Sequence, residues 1–287
     1  GNYRKQAMKS EQPSPLHLRP KQLPESPLRL VQLSDCHLYA NPGRCLAGLN
    51  TQDTFDSVLD LVKTEFSSSE YILATGDLVH DASLQGYERM RDRFEKTNLP
   101  VYCLPGNHDV PEVMSQNLNK GKVITPEAVR LRNWIIIMLD STVPGREGGH
   151  LSTGQLEILE QNLDQNPDHH ALVCLHHHPL PIGSAWMDRM ALDNSTSFFQ
   201  IIDRFPQVKA ILCGHIHQEY EEQRRQVRLL GAPSTCIQFT PLLDQFKLDR
   251  LPPGLRWLEL AQDGSINTGI KRLSAMQTRI DISVAGY

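Results

Sequence analysis

The chain is predicted to fold as a four-layer α/β sandwich, in which two mixed β-sheets pack face to face and helices cover their outer faces. Two observations in its 287 residues lead there. From Leu28 onward, short apolar runs of strand length alternate with amphipathic stretches of helical period, whereas the last third is almost wholly β-leaning. That order builds strand–helix units first and hairpins afterwards, and a chain of this length buries enough surface for one catalytic domain on large sheets.

In order along the chain, residues 1–27 carry Pro13, Pro15, Pro20, Pro24 and Pro27 among Gln, Ser, Lys and Arg, and are expected to form a flexible or peripheral arm. Residues 28–287 are expected to form a single domain. Its strand-like runs are "LRLVQL", "YILAT", "VYCL", "NWIIIML", "ALVCL" and "VKAILC". Between the first two, Thr51 is the expected N-cap of a helix whose core stripe is Phe55, Val58, Leu59, Val62 and Phe66. Leu156, Leu159 and Leu163 make a second stripe after Ser152 and Thr153. Farther on, "YEEQRRQVRLLGAPS" and "RWLELAQDGSINTGIKRL" read as hairpin strands, with Asp263-Gly264 as a turn signal. Arg224, Arg225 and Arg228 alternate with Glu221, Glu222 and Gln226, the pattern of a solvated strand face.

A net charge of −4 gives no broad basic footprint, which argues against nucleic acid as a partner. No apolar run approaches the roughly 18 residues of a membrane span, and the densest, from Trp134 to Leu139, fits one buried strand. Charges near the N-terminus are not followed by an apolar segment, so no signal peptide is expected. Six cysteines show no CxxC spacing, and Cys103, Cys174 and Cys213 lie inside apolar runs, so a reducing, cytoplasmic setting is expected.

Function is legible at the strand ends, where the apolar runs give way to "SDCH", "TGD", "PGNHD", "HHHP" and "CGHIH". Each alone has an ordinary reading as a turn or a satisfied core histidine. Five together, at the ends where α/β folds bind ligands, place oxygen and imidazole donors in one crevice and suit two divalent first-row metals. The triple His176, His177 and His178 needs resolving, because a strand of period two directs at most two of three neighbours to one side.

The ordered set Asp35-x-His37, Gly76-Asp77, Gly106-Asn107-His108-Asp109, an apolar strand ending in His-x-Pro, and Gly214-His215-x-His217 resembles the calcineurin-like binuclear metallophosphoesterases. "LHHHPLP", "GAPSTCIQF" and "PGLRWLEL" extend the resemblance to the bacterial class III 3′,5′-cyclic AMP phosphodiesterases. The resemblance implies the metallophosphoesterase fold and a centre of two divalent ions, Fe2+ or Mn2+, with Zn2+ also permitted. It implies that Asp35, His37 and His217 hold one ion, that Asn107, His177 and His215 hold the other, and that Asp77 bridges. Counting back two from Pro179 selects His177, with His176 as the alternative if the register slips by one. His37, Asp77, Asn107, His108, His177 and His217 would face the substrate, a small cyclic nucleotide. A hydroxide shared by the metals would attack phosphorus, releasing 5′-AMP. The ribose 3′ oxygen is a poor leaving group unless protonated, and His108, beside a ligand in a tight turn, is the expected proton donor, with Asp109 orienting it. Two alternatives stay open: another phosphodiester or phosphomonoester at the same site, and an inactive scaffold of the same fold, although every ligand and His108 are present.

Overall fold

The computed structural model describes residues 25–274 and 280–287; all but the last three residues of the expected arm lie outside these. Twelve strands form two six-stranded mixed sheets. In chain order they are β1 (Leu28–Leu33), β2 (Tyr71–Thr75), β3 (Val101–Leu104), β4 (Val123–Ile124), β5 (Ala128–Leu131), β6 (Trp134–Met138), β7 (His170–Leu175), β8 (Val208–Cys213), β9 (Tyr220–Arg224), β10 (Val227–Gly231), β11 (Gly254–Leu260) and β12 (Ile266–Arg272). The first sheet runs β12-β11-β1-β2-β3-β4 and the second β9-β10-β8-β7-β6-β5. Parallel pairing joins β1 to β2 and β2 to β3 in one sheet, and β6 to β7 and β7 to β8 in the other.

Strand alternation sorts the core into three layers. Leu28, Leu30, Leu73 and Tyr102 of the first sheet meet Ile136, Leu172, Cys174 and Leu212 of the second between the sheets. Val31, Leu33, Ile72 and Cys103 face outward onto Phe55, Val58 and Val62 of α1 (Thr51–Glu65) and Tyr87, Met90 and Phe94 of α2 (Leu84–Glu95). On the opposite side, Ile137, Val173 and Leu175 pack against Leu159 and Leu163 of a helix spanning Thr153–Gln165 and Phe198 of another spanning Ser195–Ile202. The four-layer arrangement is thus the expected one.

The first helix begins one residue from the expected position. Asn50 is its N-cap, its side chain accepting from Asp53 N–H, while the Thr51 hydroxyl instead donates to the His37 carbonyl at 2.8 Å, tying the helix to the first polar loop. The arginines span the hairpin of β9 and β10 and do not share one solvated strand face: Arg225 is exposed between the strands, while Arg224 and Arg228 are half-buried in pairs with Asp203 and Glu221. All six cysteines are unpaired. Among the described residues no helix is long and apolar enough to cross a membrane.

Candidate metal centre

The carboxyl ends of β1, β2, β3, β7 and β8 converge at one edge of the sandwich. Gln32, on the inner face of β1, links the sheets there by donating to the Thr75 hydroxyl at 2.9 Å and the Cys213 carbonyl at 3.0 Å. Beyond the strand ends the chain curls sharply: Asp35, His37, Asp77, His215 and His217 all have φ between 48° and 74°. For residues with a Cβ this left-handed backbone costs about 1–2 kcal/mol each, so the surroundings must hold it. Main-chain bonds from Asp35 to Gly76 (3.0 Å) and from His37 to Asp77 (2.9 Å) zip two of these loops together. Gly76 and Gly106 are required by close approach: a Cβ on Gly76 would meet Gly106 N at 2.8 Å, and one on Gly106 would meet His176 Cε1 at 2.8 Å.

Seven donor residues result, in two groups. Those of Asp35, His37 and His217 lie within 4.8 Å of one another, as do those of Asp77, His176 and His215, and all six side chains are fully buried. His217 Nε2 stands 3.2 Å from Asp35 Oδ1 and 3.3 Å from His37 Nε2, and His176 Nε2 stands 3.3 Å from Asp77 Oδ2 and 3.9 Å from Asp35 Oδ1. Asn107, on the turn after β3, is the seventh.

Each imidazole is anchored by its far nitrogen. His176 Nδ1 meets the Thr75 carbonyl and His217 Nδ1 the Ile237 carbonyl, both at 2.7 Å, and His215 Nε2 meets the Met190 carbonyl at 3.1 Å. An N–H donated outward leaves the inner nitrogen with a free lone pair, the arrangement that orients histidine toward a metal. Correspondingly, Asp35 Oδ1, Asp77 Oδ2, Asn107 Oδ1, His176 Nε2 and His215 Nδ1 are buried without a hydrogen-bond partner. Leaving one such group unsatisfied costs about 1–3 kcal/mol, so donors of this kind gathered at five strand ends fit bound cations.

The electrostatics agree. Burial pushes His37 and His215 well below the ordinary imidazole range, so both favour the neutral, ligating form. Burial also opposes charge on His176, but the Asp77 and Asp35 carboxylates outweigh it and raise this imidazole to about 9. Burial would likewise raise Asp77, yet the facing His176 and His108 imidazoles hold it well below the usual carboxylate range. Two buried carboxylates thus recruit the nearest available positive charge, a proton on His176 that a metal ion would displace.

Two expectations are corrected. His177 is not in the cluster: its Nδ1 meets Ser141 Oγ at 2.7 Å and its Nε2 the Glu147 carbonyl at 2.9 Å, leaving no lone pair free. The alternation of β7 explains this, since Leu172 and Cys174 face the space between the sheets and His176 continues that side, while Val173 and Leu175 face the helices and His177 continues theirs. His178 leaves through Asp188, 3.1 Å from its Nε2.

Asp109 does not orient His108 either. Its carboxylate accepts from Tyr87 Oη (2.5 Å), Gly106 N (2.8 Å), and Leu78 N and Val79 N (both 3.2 Å), clamping the two turns beneath the centre. Removing that phenol hydroxyl leaves a buried carboxylate short of a partner. Tyr87→Phe is therefore expected to cost about 1–3 kcal/mol, a fall of roughly 2–10 °C in Tm. Calorimetry checks it, and an unchanged Tm would mean that the clamp contributes nothing.

His108 stands at the edge of the centre, its ring centroid 5.1 Å from that of His37. Its backbone N–H donates to Asp77 Oδ1 at 2.9 Å, and its ring borders a cleft of about 560 Å³ shared with Asn107, Arg146, Trp186, Arg189 and Phe246. The "GAPSTC" segment supports the first polar loop, Ser234 Oγ donating to the Asp35 carbonyl at 2.7 Å.

His80, four residues after Gly76 and missed in the sequence, meets His37 Nδ1 at 2.9 Å and stacks on His108 with ring centroids 4.4 Å apart. Burial lowers it to about 4, so it serves as a neutral support to both rings. The only sequence signal was its place in the loop after a motif glycine.

The sequence profile of the calcineurin-like phosphoesterases matches residues 28–219. A 3′,5′-cyclic adenosine monophosphate phosphodiesterase CpdA from Pseudomonas aeruginosa is 42% identical over 90% of this chain and 94% of its own length. Its counterpart from Vibrio vulnificus is 39% identical over 94% and 99% respectively. A 3′,5′-cyclic-nucleotide phosphodiesterase from Nostoc is 38% identical over 86% of this chain and 93% of its own. Among solved structures, a dimetal phosphatase from Danio rerio superposes with a TM-score of 0.57 at 12% identity, covering 87% of this chain and all of that one. A purple acid phosphatase from yellow lupin gives 0.60 at 14% identity over 89% of this chain and 53% of the other. At such identities the likeness concerns the fold.

Proposed function

This chain belongs to the calcineurin-like phosphoesterase family, and from that premise we propose that it hydrolyses 3′,5′-cyclic AMP to 5′-AMP at a centre of two divalent cations. The observation that carries the reading is the set of orphaned buried donors at five strand ends, in a chain about 40% identical over nearly its whole length to relatives named for that reaction. In this proposal Asp35, His37 and His217 hold one cation, Asn107, His176 and His215 hold the other, and Asp77 lies between them. Oxygen and imidazole donors without thiolate suit Fe2+ or Mn2+ and also accept Zn2+, so cellular supply would choose among them. Cations in such a site supply Lewis acidity toward phosphoryl oxygens and bring the pKa of a water toward neutrality.

The remaining work falls to the chain. The phosphodiester would lie against the centre in the cleft of about 560 Å³ that Asn107 and His108 border. Water adds to phosphorus as the bond to the 3′ oxygen breaks, and that oxygen must leave with a proton. His108 delivers the proton from the mouth of the cleft, its main chain held by Asp77 and its ring by the stacked His80. His37 is kept in its ligating tautomer by His80. The cytosol, where cyclic nucleotides and reduced thiols coexist, is the proposed location.

The test is chromatography of the product after Mn2+-loaded protein meets cyclic AMP, with an aryl phosphodiester in parallel. 5′-AMP is the expected product. Cleavage of the aryl diester with cyclic AMP untouched would leave the centre standing and remove the substrate. No cleavage of either would favour an inactive scaffold.

A further inference from the structure

The mouth of the centre is not free in this structure. Residues 280–287 cross it, and the Tyr287 ring lies against the donor cluster: its centroid is 5.4 Å from those of His37 and His108, 5.5 Å from that of His217 and 5.1 Å from that of Phe239. Phe246 stacks on it with ring centroids 6.0 Å apart. Ala285, Gly286 and Tyr287 also line the cleft that Asn107 and His108 border. A phosphodiester approaching Asp35, His37 and His217 past His108 would need the volume this ring fills.

The segment is lightly fastened. Ile280, Val284 and Tyr287 pack, partly buried, onto a small apolar cluster containing Tyr39, Ile182, Trp186 and Phe239. Asp281 N–H donates to the Ala47 carbonyl at 2.9 Å, and the Asp281 side chain serves its own turn by accepting from Ser283 N at 3.0 Å. Ile282 is exposed. Anchors of this kind, among the described residues, permit local release without disturbing the sheets.

We propose that residues 280–287 are an intramolecular competitor, a strap whose Tyr287 ring occupies the substrate's place and must swing out before a phosphodiester binds. The proposal rests on reading this cleft as the phosphodiester site. A tethered segment competes at an effective concentration of about millimolar, and a strap closed about nine-tenths of the time weakens apparent substrate affinity about tenfold without changing the chemical step.

The test compares the full chain with Tyr287→Ala and with a chain ending at residue 279, all loaded with Mn2+. Inorganic phosphate binding is read by titration calorimetry and bis(4-nitrophenyl) phosphate turnover by absorbance. Both altered chains are expected to bind phosphate and the diester about 3–10-fold more tightly, with kcat changed by less than about twofold. A peptide of residues 281–287 is expected to inhibit the shortened chain competitively. Unchanged or weaker phosphate binding in Tyr287→Ala would overturn the proposal, and that single substitution still decides the matter should the shortened chain fail to fold. Because neither probe depends on the natural substrate, failure of the strap is distinguishable from failure of the cyclic AMP reading.

Discussion

His176→Ala is expected to remove one of the two metal ions and to lower kcat/KM by roughly 1,000-fold, whereas His177→Ala keeps both ions and loses no more than about tenfold. The larger figure reflects the loss of a cation that stabilises developing charge, worth several kcal/mol. The smaller reflects the contacts of His177. Its ring ties Ser141 Oγ to the Glu147 carbonyl, so its loss loosens the loop after β6 while leaving the donor cluster complete. Metal content by elemental analysis, read beside turnover of an aryl diester, separates the two. Two retained ions in His176→Ala with loss of one in His177→Ala would return the ligand to the position counted from Pro179.

The second large effect is that of His108→Ala. General-acid catalysis contributes about 100- to 10,000-fold, and that loss is expected in kcat for cyclic AMP, whose 3′ alkoxide cannot leave unprotonated. A nitrophenolate leaves without help, so the same substitution should slow bis(4-nitrophenyl) phosphate by less than about tenfold. Metal content should not change, because the contact from this residue to the cluster's Asp77 is made by its backbone N–H, which alanine retains. Equal losses on both substrates would show that His108 binds the phosphodiester and does not protonate the leaving oxygen.

Most of the centre is legible in the order of residues alone. Asp35, His37, Asp77, Asn107, His215 and His217 each stand directly after an apolar run, and a strand that ends in Asp, Asn or His exposes that residue wherever the sheet exposes its carboxyl edge. Gly76 and Gly106 are visible as turn residues, though the contacts that exclude a Cβ there come from chain segments far apart in sequence. His176 is the hard case. Residues 171–175 are apolar on both faces, because β7 is covered by the opposite sheet on one side and by helices on the other. No polar alternation marks which face is inner, and the choice between neighbouring histidines has no local signal.

Asp109 and His80 failed for a related reason. An aspartate after a turn looks the same in sequence whether it serves the histidine beside it or, as here, accepts from Tyr87 twenty-two residues earlier and from three main-chain amides. His80 supports His37 across forty-three residues, a pairing that exists only once two loops are zipped.

What the sequence by itself determined is therefore the set of donor types, their order, the layered α/β frame that gathers them, and the histidine beside Asn107 that is proposed as proton donor. Only the tertiary structure decided which of three histidines faces inward, which carboxylate is a clamp, and that Tyr287 lies across the entrance. The physical reason is the range of the forces involved. Periodicity and turn chemistry act over a few residues and are written locally, whereas burial, facing and hydrogen-bond partnership are settled by segments that meet only when the two sheets close.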